Sequence, residues 1–321
     1  MRHHILKAAI YTGFTLIIVF LINNGDIKLY IAPRMMMYVK LSAIGVYALA
    51  VFQIYAALKK GRQREADECD CGHDHTPSKS GWKNVISYSL FILPLLLVFL
   101  MPSGTLGSAM AAKKGISLGG SESIARLENS VARTDTARLK IADSAPVIPA
   151  PTLSPTAEGD NQSLTKDDLQ NSELDQLFTF DEYTEDYAKY GKELYKLDSI
   201  VVPEKQFIET LTTLDLYRDA FMGKGVTLSG FTYREEDMNK DQLVVGRFAM
   251  TCCSADALPY GLLIQWPRAN EYDEDEWISV TGKLDVTTYM ENEIIVIKAT
   301  KIKRIDPAET PYVYPDFDFG T

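Results

Sequence analysis

All four cysteines of this 321-residue chain fall in two short stretches. The first is Cys69-Asp70-Cys71-Gly72-His73-Asp74-His75, where thiols, carboxylates and imidazoles alternate. Thiolate and neutral imidazole suit zinc or a similar thiophilic ion. The spacing is tighter than the two or more residues that separate paired ligands in a closed zinc finger. The stretch therefore reads as an exposed metal-capture tract with Cys69, Cys71, His73 and His75 as ligands, against the plainer reading of an acidic, solvated loop. The second stretch is Arg247 to Trp266, RFAMTCCSADALPYGLLIQW. Its vicinal Cys252 and Cys253, with Asp256 three residues on, have the donor types to ligate a thiophilic ion. They also have the atoms for a strained disulfide, since neighbouring Cα atoms lie about 3.8 Å apart and a bridge prefers about 4.4–6.8 Å. The plain alternative is packing. Strand alternation puts Phe248, Met250 and Cys252 on one face, so that Cys252 fills core space while Cys253 and Asp256 face out.

The inventory removes several chemistries. The four histidines are His3, His4, His73 and His75, so the last three quarters of the chain have none. A Ser-His-Asp or Cys-His arrangement is excluded there. No C-x-x-C occurs, which argues against a thiol-disulfide enzyme. No catalytic residue is expected, and the protein is read as a non-enzyme. Four cysteines are too few for a disulfide scaffold. A net charge of -10 argues against a nucleic-acid partner, which needs basic residues to displace counterions.

The elements around these stretches begin in a membrane. Ile5–Ile22, Met35–Leu58 and Val85–Leu100 are apolar runs about as long as a bilayer core requires. Pro94 kinks the third, and Trp82 and Tyr88 suit the headgroup region. The segment between the second and third runs carries Lys59, Lys60, Arg62, Arg64, Lys79 and Lys83. The positive-inside rule then predicts a cytoplasmic N-terminus and a cytoplasmic Cys/His loop over 59–84, with the C-terminal part on the far side. None of the three runs carries an acidic residue or arginine near its midpoint, so a transport path through this chain alone is not expected.

A Ser/Ala/Pro-rich stretch over 103–172 lacks a sustained apolar period and reads as a flexible linker. Residues 173–321 form the soluble domain. Thr179–Leu197 predicts an amphipathic helix with Tyr183, Tyr187, Tyr190 and Leu194 as packing surface. Ser199–Val202 predicts a short strand and Glu204–Phe221 further helical turns. Period-two patterns then predict strands at Val226–Tyr233, Leu243–Thr251, Leu262–Pro267, Trp277–Val286 and Glu293–Ile305, with Gly282 as a bulge site. Five such strands suggest a small OB-like β-barrel.

Several phrases together resemble the YcgQ-type family of two-component membrane permease subunits. They are Gly230-Phe231-Thr232-Tyr233-Arg234, Arg247 to Ala257, Pro259 to Leu263, Trp277 to Gly282 and Pro311-Tyr312-Val313-Tyr314-Pro315. The apolar runs and the Cys/His loop fit the same plan, so the resemblance spans nearly the whole chain outside the linker. It implies a subunit that works with a multi-span permease similar to those linked with organoarsenical efflux. The fold expected is thus a three-helix transmembrane part (1–102) and a soluble α+β domain ending in a five-stranded OB-like barrel. The function expected is a permease subunit of the cell membrane, its extracytoplasmic domain docking on or gating the permease in the lipid bilayer. The rival expectation is a membrane-anchored accessory protein handling zinc, copper or an arsenical. No cofactor is assigned, with zinc or another thiophilic metal as the candidate.

Overall fold

The computed structural model describes residues 2–62, 81–100, 104, 106–118, 174–235, 238–289 and 292–321. Its contacts divide into two compact units, Met1–Thr105 with Met250–Asp256, and Leu106–Ala249 with Ala257–Thr321.

The first unit is helical. Helices α1 (Arg2–Asn24), α2 (Met36–Arg62) and α3 (Gly81–Leu100) follow the predicted apolar runs. Gly25, at φ 80°, ends α1 in the left-handed region that a side chain rarely adopts. Pro33 opens the short 3-10 turn that leads into α2, where its fixed φ suits a helix start. Two segments, Ile5–Asn24 and Pro33–Lys59, are long and apolar enough to cross a membrane. In α3 the apolar run is the shorter Ile86–Val98, so the structure supports two spans where three were expected.

The second unit is mostly sheet. It starts earlier than the composition predicts: Ser108–Lys114 is a helix, α4, and Ser117–Leu118 is a strand, β1, although both lie within the stretch read as linker. Low apolar periodicity concealed them, because their partners are distant in sequence. The Asp275 carboxylate accepts hydrogen bonds from the Ser108 amide (2.6 Å) and hydroxyl (2.9 Å) at the start of α4. β1 pairs in parallel with β5. After residues 119–173, helix α5 (Glu185–Lys196) buries Ala188, Gly191 and Leu194 at three-residue spacing. Strand β2 (Ser199–Val201) and helices α6 (Phe207–Leu216) and α7 (Arg218–Phe221) follow.

Five longer strands come next: β3 (Gly225–Tyr233), β4 (Gln242–Ala249), β5 (Leu258–Gln265), β6 (Trp277–Tyr289) and β7 (Asn292–Arg304). β3 pairs with β4 and β6, β4 with β5, β5 with β7 and β7 with β6, so the pairing returns to its origin. Only β5–β7 is parallel among these five contacts. The β6–β7 register shifts between Thr281 and Gly282, at the predicted bulge site. β8 (Tyr312–Val313) adds a parallel edge to β4.

The core joins both layers. Val226, Leu228, Leu243, Val245, Leu262, Ile264, Val280 and Ile297 from the strands meet Phe178, Phe207, Leu211, Leu214 and Phe221 from the helical side. Each such side chain contributes about 1.5–3 kcal/mol through removal from water. Tyr187 and Tyr190 of α5 pack against this core and against Phe319, as the tyrosine stripe implied, whereas Tyr183 is exposed.

Candidate functional site

The chemistry-bearing turn hangs from the end of β4. Strand β4 extends through Ala249, and the chain then leaves the strand at Met250. Cys252 therefore does not share the buried face of Phe248 and Met250. Both cysteines are free thiols and both are half-buried, which speaks against the alternative in which Cys252 packs in the core. The alternation argument failed because it needs extended backbone, and the strand ends before the cysteines are reached.

Asp256 organises the turn. Its Oδ1 accepts the amide of Thr251 (3.0 Å), and its Oδ2 accepts those of Cys252 (2.6 Å) and Cys253 (3.4 Å). The Asp256 amide in turn donates to the Cys253 carbonyl at 3.0 Å. These bonds bring the side-chain donors of Cys252, Cys253 and Asp256 within 4.8 Å of one another. The two sulfurs are 3.7 Å apart.

The electrostatics follow from that geometry. Hydrogen bonding to the Asp256 carboxylate, then to Cys253, pushes the Cys252 thiol up to about 11, because thiolate would face negative neighbours. Partial burial pushes the Asp256 carboxyl up. The Cys252 thiol and the amides of Cys252, Thr251 and Cys253 outweigh that and hold it below the usual aspartate range.

The turn is gripped from the connection between α1 and α2. The Ala32 amide donates to the Cys252 carbonyl (3.0 Å), and the Ser254 amide donates to the Tyr30 carbonyl (2.8 Å). Ile31 and Cys253 thus form an antiparallel bridge. The Arg34 Nε–H donates to the Thr251 carbonyl at 2.8 Å. Sequence reasoning missed Tyr30, Ile31, Ala32 and Arg34. Main-chain pairing leaves no residue-type signature, and the one local cue, Pro33, points only to the start of α2.

Arg247, five residues before Cys252, belongs to the second unit and serves its packing. It is buried, with one guanidinium nitrogen donating to Glu204 at 2.8 Å and another to the Thr310 carbonyl. Its guanidinium also lies 5.3 Å from the Trp277 ring centroid. The other predicted ligands, Cys69, Cys71, His73 and His75, lie outside the described residues.

Residues 6–117 match the DUF1980 N-terminal domain and residues 177–315 match the DUF1980 C-terminal domain. The chain belongs to the DUF1980 family. The UPF0703 protein YcgQ of Bacillus subtilis (strain 168) is 26% identical to it over 323 residues, covering 97% of this chain and 99% of that protein. The YcgQ-type resemblance read from the sequence is therefore a family relationship. The DUF1980 C-terminal match includes the Cys-Cys turn, and the N-terminal match includes the connection that grips it. No solved structure matches the chain.

Proposed function

We propose that this DUF1980 protein is a non-enzymatic subunit of a two-component permease complex in the cell membrane. The two membrane-length helices, with the shorter apolar α3 read as a third span, anchor it with the N-terminus in the cytoplasm, and its C-terminal domain docks on or gates a multi-span permease from the extracytoplasmic side. The observation that carries the reading is the main-chain pairing of Cys252–Ser254 with Tyr30–Ala32, together with the Arg34 side chain on the Thr251 carbonyl. The Cys-Cys turn is thereby fastened to the connection between two membrane-length helices. The ring of pairing β3-β4-β5-β7-β6, with its single parallel contact, supports an OB-like barrel as the docking module. The lack of histidine in this domain supports a non-catalytic role.

Co-purification from native membranes in mild detergent tests this. A stoichiometric multi-span partner is expected, and a solitary monomer overturns the reading. A second reading, metal handling, is favoured by one observation: three donor groups of suitable type lie within 4.8 Å in the turn.

A further inference from the structure

We propose that Cys252, Cys253 and Asp256 form a tetrahedral site for a divalent ion of the zinc class, with three protein donors and a fourth position left open for exchange. The inference rests on the metal-handling reading and assigns it a geometry and a place. Zinc bonds to thiolate sulfur at about 2.3 Å, so two sulfurs on one tetrahedral ion lie about 3.8 Å apart. The observed separation is 3.7 Å. A linear two-coordinate ion with the same bond length would hold them at about 4.6 Å, and a disulfide at about 2.0 Å. The thiol–thiol contact of the turn thus holds the two sulfurs at a spacing compatible with a tetrahedral ion.

The third donor is equally prepared. A carboxylate offers about four lone-pair sites. Amides hold the Asp256 carboxylate from the backbone side, which fixes its orientation before an ion arrives. Such outer bonds are the usual way a protein aims a metal ligand. Two sulfurs favour a thiophilic ion over calcium or magnesium, which take oxygen ligands. On binding, a dication replaces the two thiol protons, which pass to water, and the assembly carries one net negative charge.

The site stays open. No fourth His, Cys, Asp or Glu joins the three among the described residues, and all three are half-buried. Structural zinc sites close with four protein ligands, whereas three ligands leave a position for water or an incoming group. That is the form suited to passing an ion on rather than retaining it.

Cobalt(II) is the probe, titrated into the full chain in mild detergent. The parent for the site variants carries Cys69→Ser, Cys71→Ser, His73→Ala and His75→Ala, which removes the other donor tract. One cobalt per chain is expected, with tetrahedral d–d bands and a thiolate-to-cobalt charge-transfer band. Cys252→Ser or Cys253→Ser lowers that band by about half, in keeping with one thiolate of two. Asp256→Asn keeps an acceptor for the loop amides and weakens cobalt binding by about tenfold or more. Added imidazole shifts the d–d bands without removing the ion. Bands indifferent to Cys252→Ser and Cys253→Ser, or a spectrum indifferent to imidazole, overturn the proposal. If the unsubstituted chain binds cobalt but the parent does not, the site fails and metal handling survives through the Cys69–His75 tract. If neither binds cobalt, both fail.

Discussion

Glu209 sits in α6 with only 4% of its surface exposed. Its Oε1 accepts the Asp316 amide at 2.8 Å, and its Oε2 is buried without a hydrogen-bond partner among the described residues. Burial pushes its carboxyl above the usual glutamate range; the Asp316 amide and Lys205 pull the other way, while the Asp316 carboxylate adds to the rise. Tyr187 feels the same environment, pushed up to about 12 by burial and then by Glu209. The native state thus holds the Glu209 proton more tightly than the unfolded chain does. Its contribution to stability is fully present below the unfolded pKa and is lost as pH rises through the folded one. We expect Glu209→Gln to lose less stability than the parent as pH rises above the ordinary glutamate range. Urea unfolding at several pH values checks this, and parallel curves for the two proteins refute it. Nothing in the sequence marked Glu209, because its helix reads as ordinary amphipathic pattern until the C-terminal segment covers it. The grouping of the cysteines with Asp256 was legible from type and spacing, and the half-burial of Cys252 was not, since it depends on where β4 stops.

Gly230, Gly246 and Gly261 bring three neighbouring strands into close approach. Gly246 is in register with Gly261 on β5 and sits beside Gly230 across the β3–β4 pair. A methyl group on Gly246 would strike the Tyr260 carbonyl and the Gly261 Cα, and both are backbone atoms that cannot swing aside. Gly246→Ala is expected to destabilise the domain by about 1–3 kcal/mol. That corresponds to a melting temperature lower by roughly 2–12 °C for a domain of this size, readable by circular dichroism. An unchanged melting temperature would mean that the strands separate freely here. At this scale the sequence was informative. All five long strands were predicted from period-two patterning and the Gly282 bulge from its residue type; the burial of β6 follows that period, whereas β4 is buried on both faces. β5 was placed four residues late, since Pro259 and Gly261 read as turn formers; Pro is tolerated at the start of a strand. The two-residue strands β1 and β8 are too short to carry a period.

The C-terminal unit has a continuous apolar core of its own, including residues from Leu174 through Val313. It also recruits Leu106–Leu118, which adds the α4 contact to Asp275 and a strand beside β5. A fragment beginning at Leu106 is expected to be soluble and to unfold in one cooperative step. A fragment beginning at Leu174 is expected to unfold at a lower urea concentration, because it bares the β5 edge and leaves Asp275 without its Ser108 partners. Identical midpoints would show that Leu106–Leu118 is incidental, and a non-cooperative transition in the longer fragment would show that the core does not stand alone. The two-part plan was legible from hydropathy. The start of the soluble part was not, because Ser, Ala and Gly carry too little apolar signal to reveal a docked segment.

The grip on the Cys-Cys turn is made largely by peptide groups: Tyr30 and Cys252 lend carbonyls, Ala32 and Ser254 lend amides. Peptide groups are the same in every residue but proline. Attachment therefore places little demand on the identity of the side chains at these positions, and it leaves both thiols unspent. Inheritance can vary the two runs separately, exchanging Tyr30 or Ile31 for other residues while the seam persists, and replacing the side chains of Cys252 and Cys253 without loosening it. Such a turn can change the chemistry of its side chains faster than it changes how it is held in place.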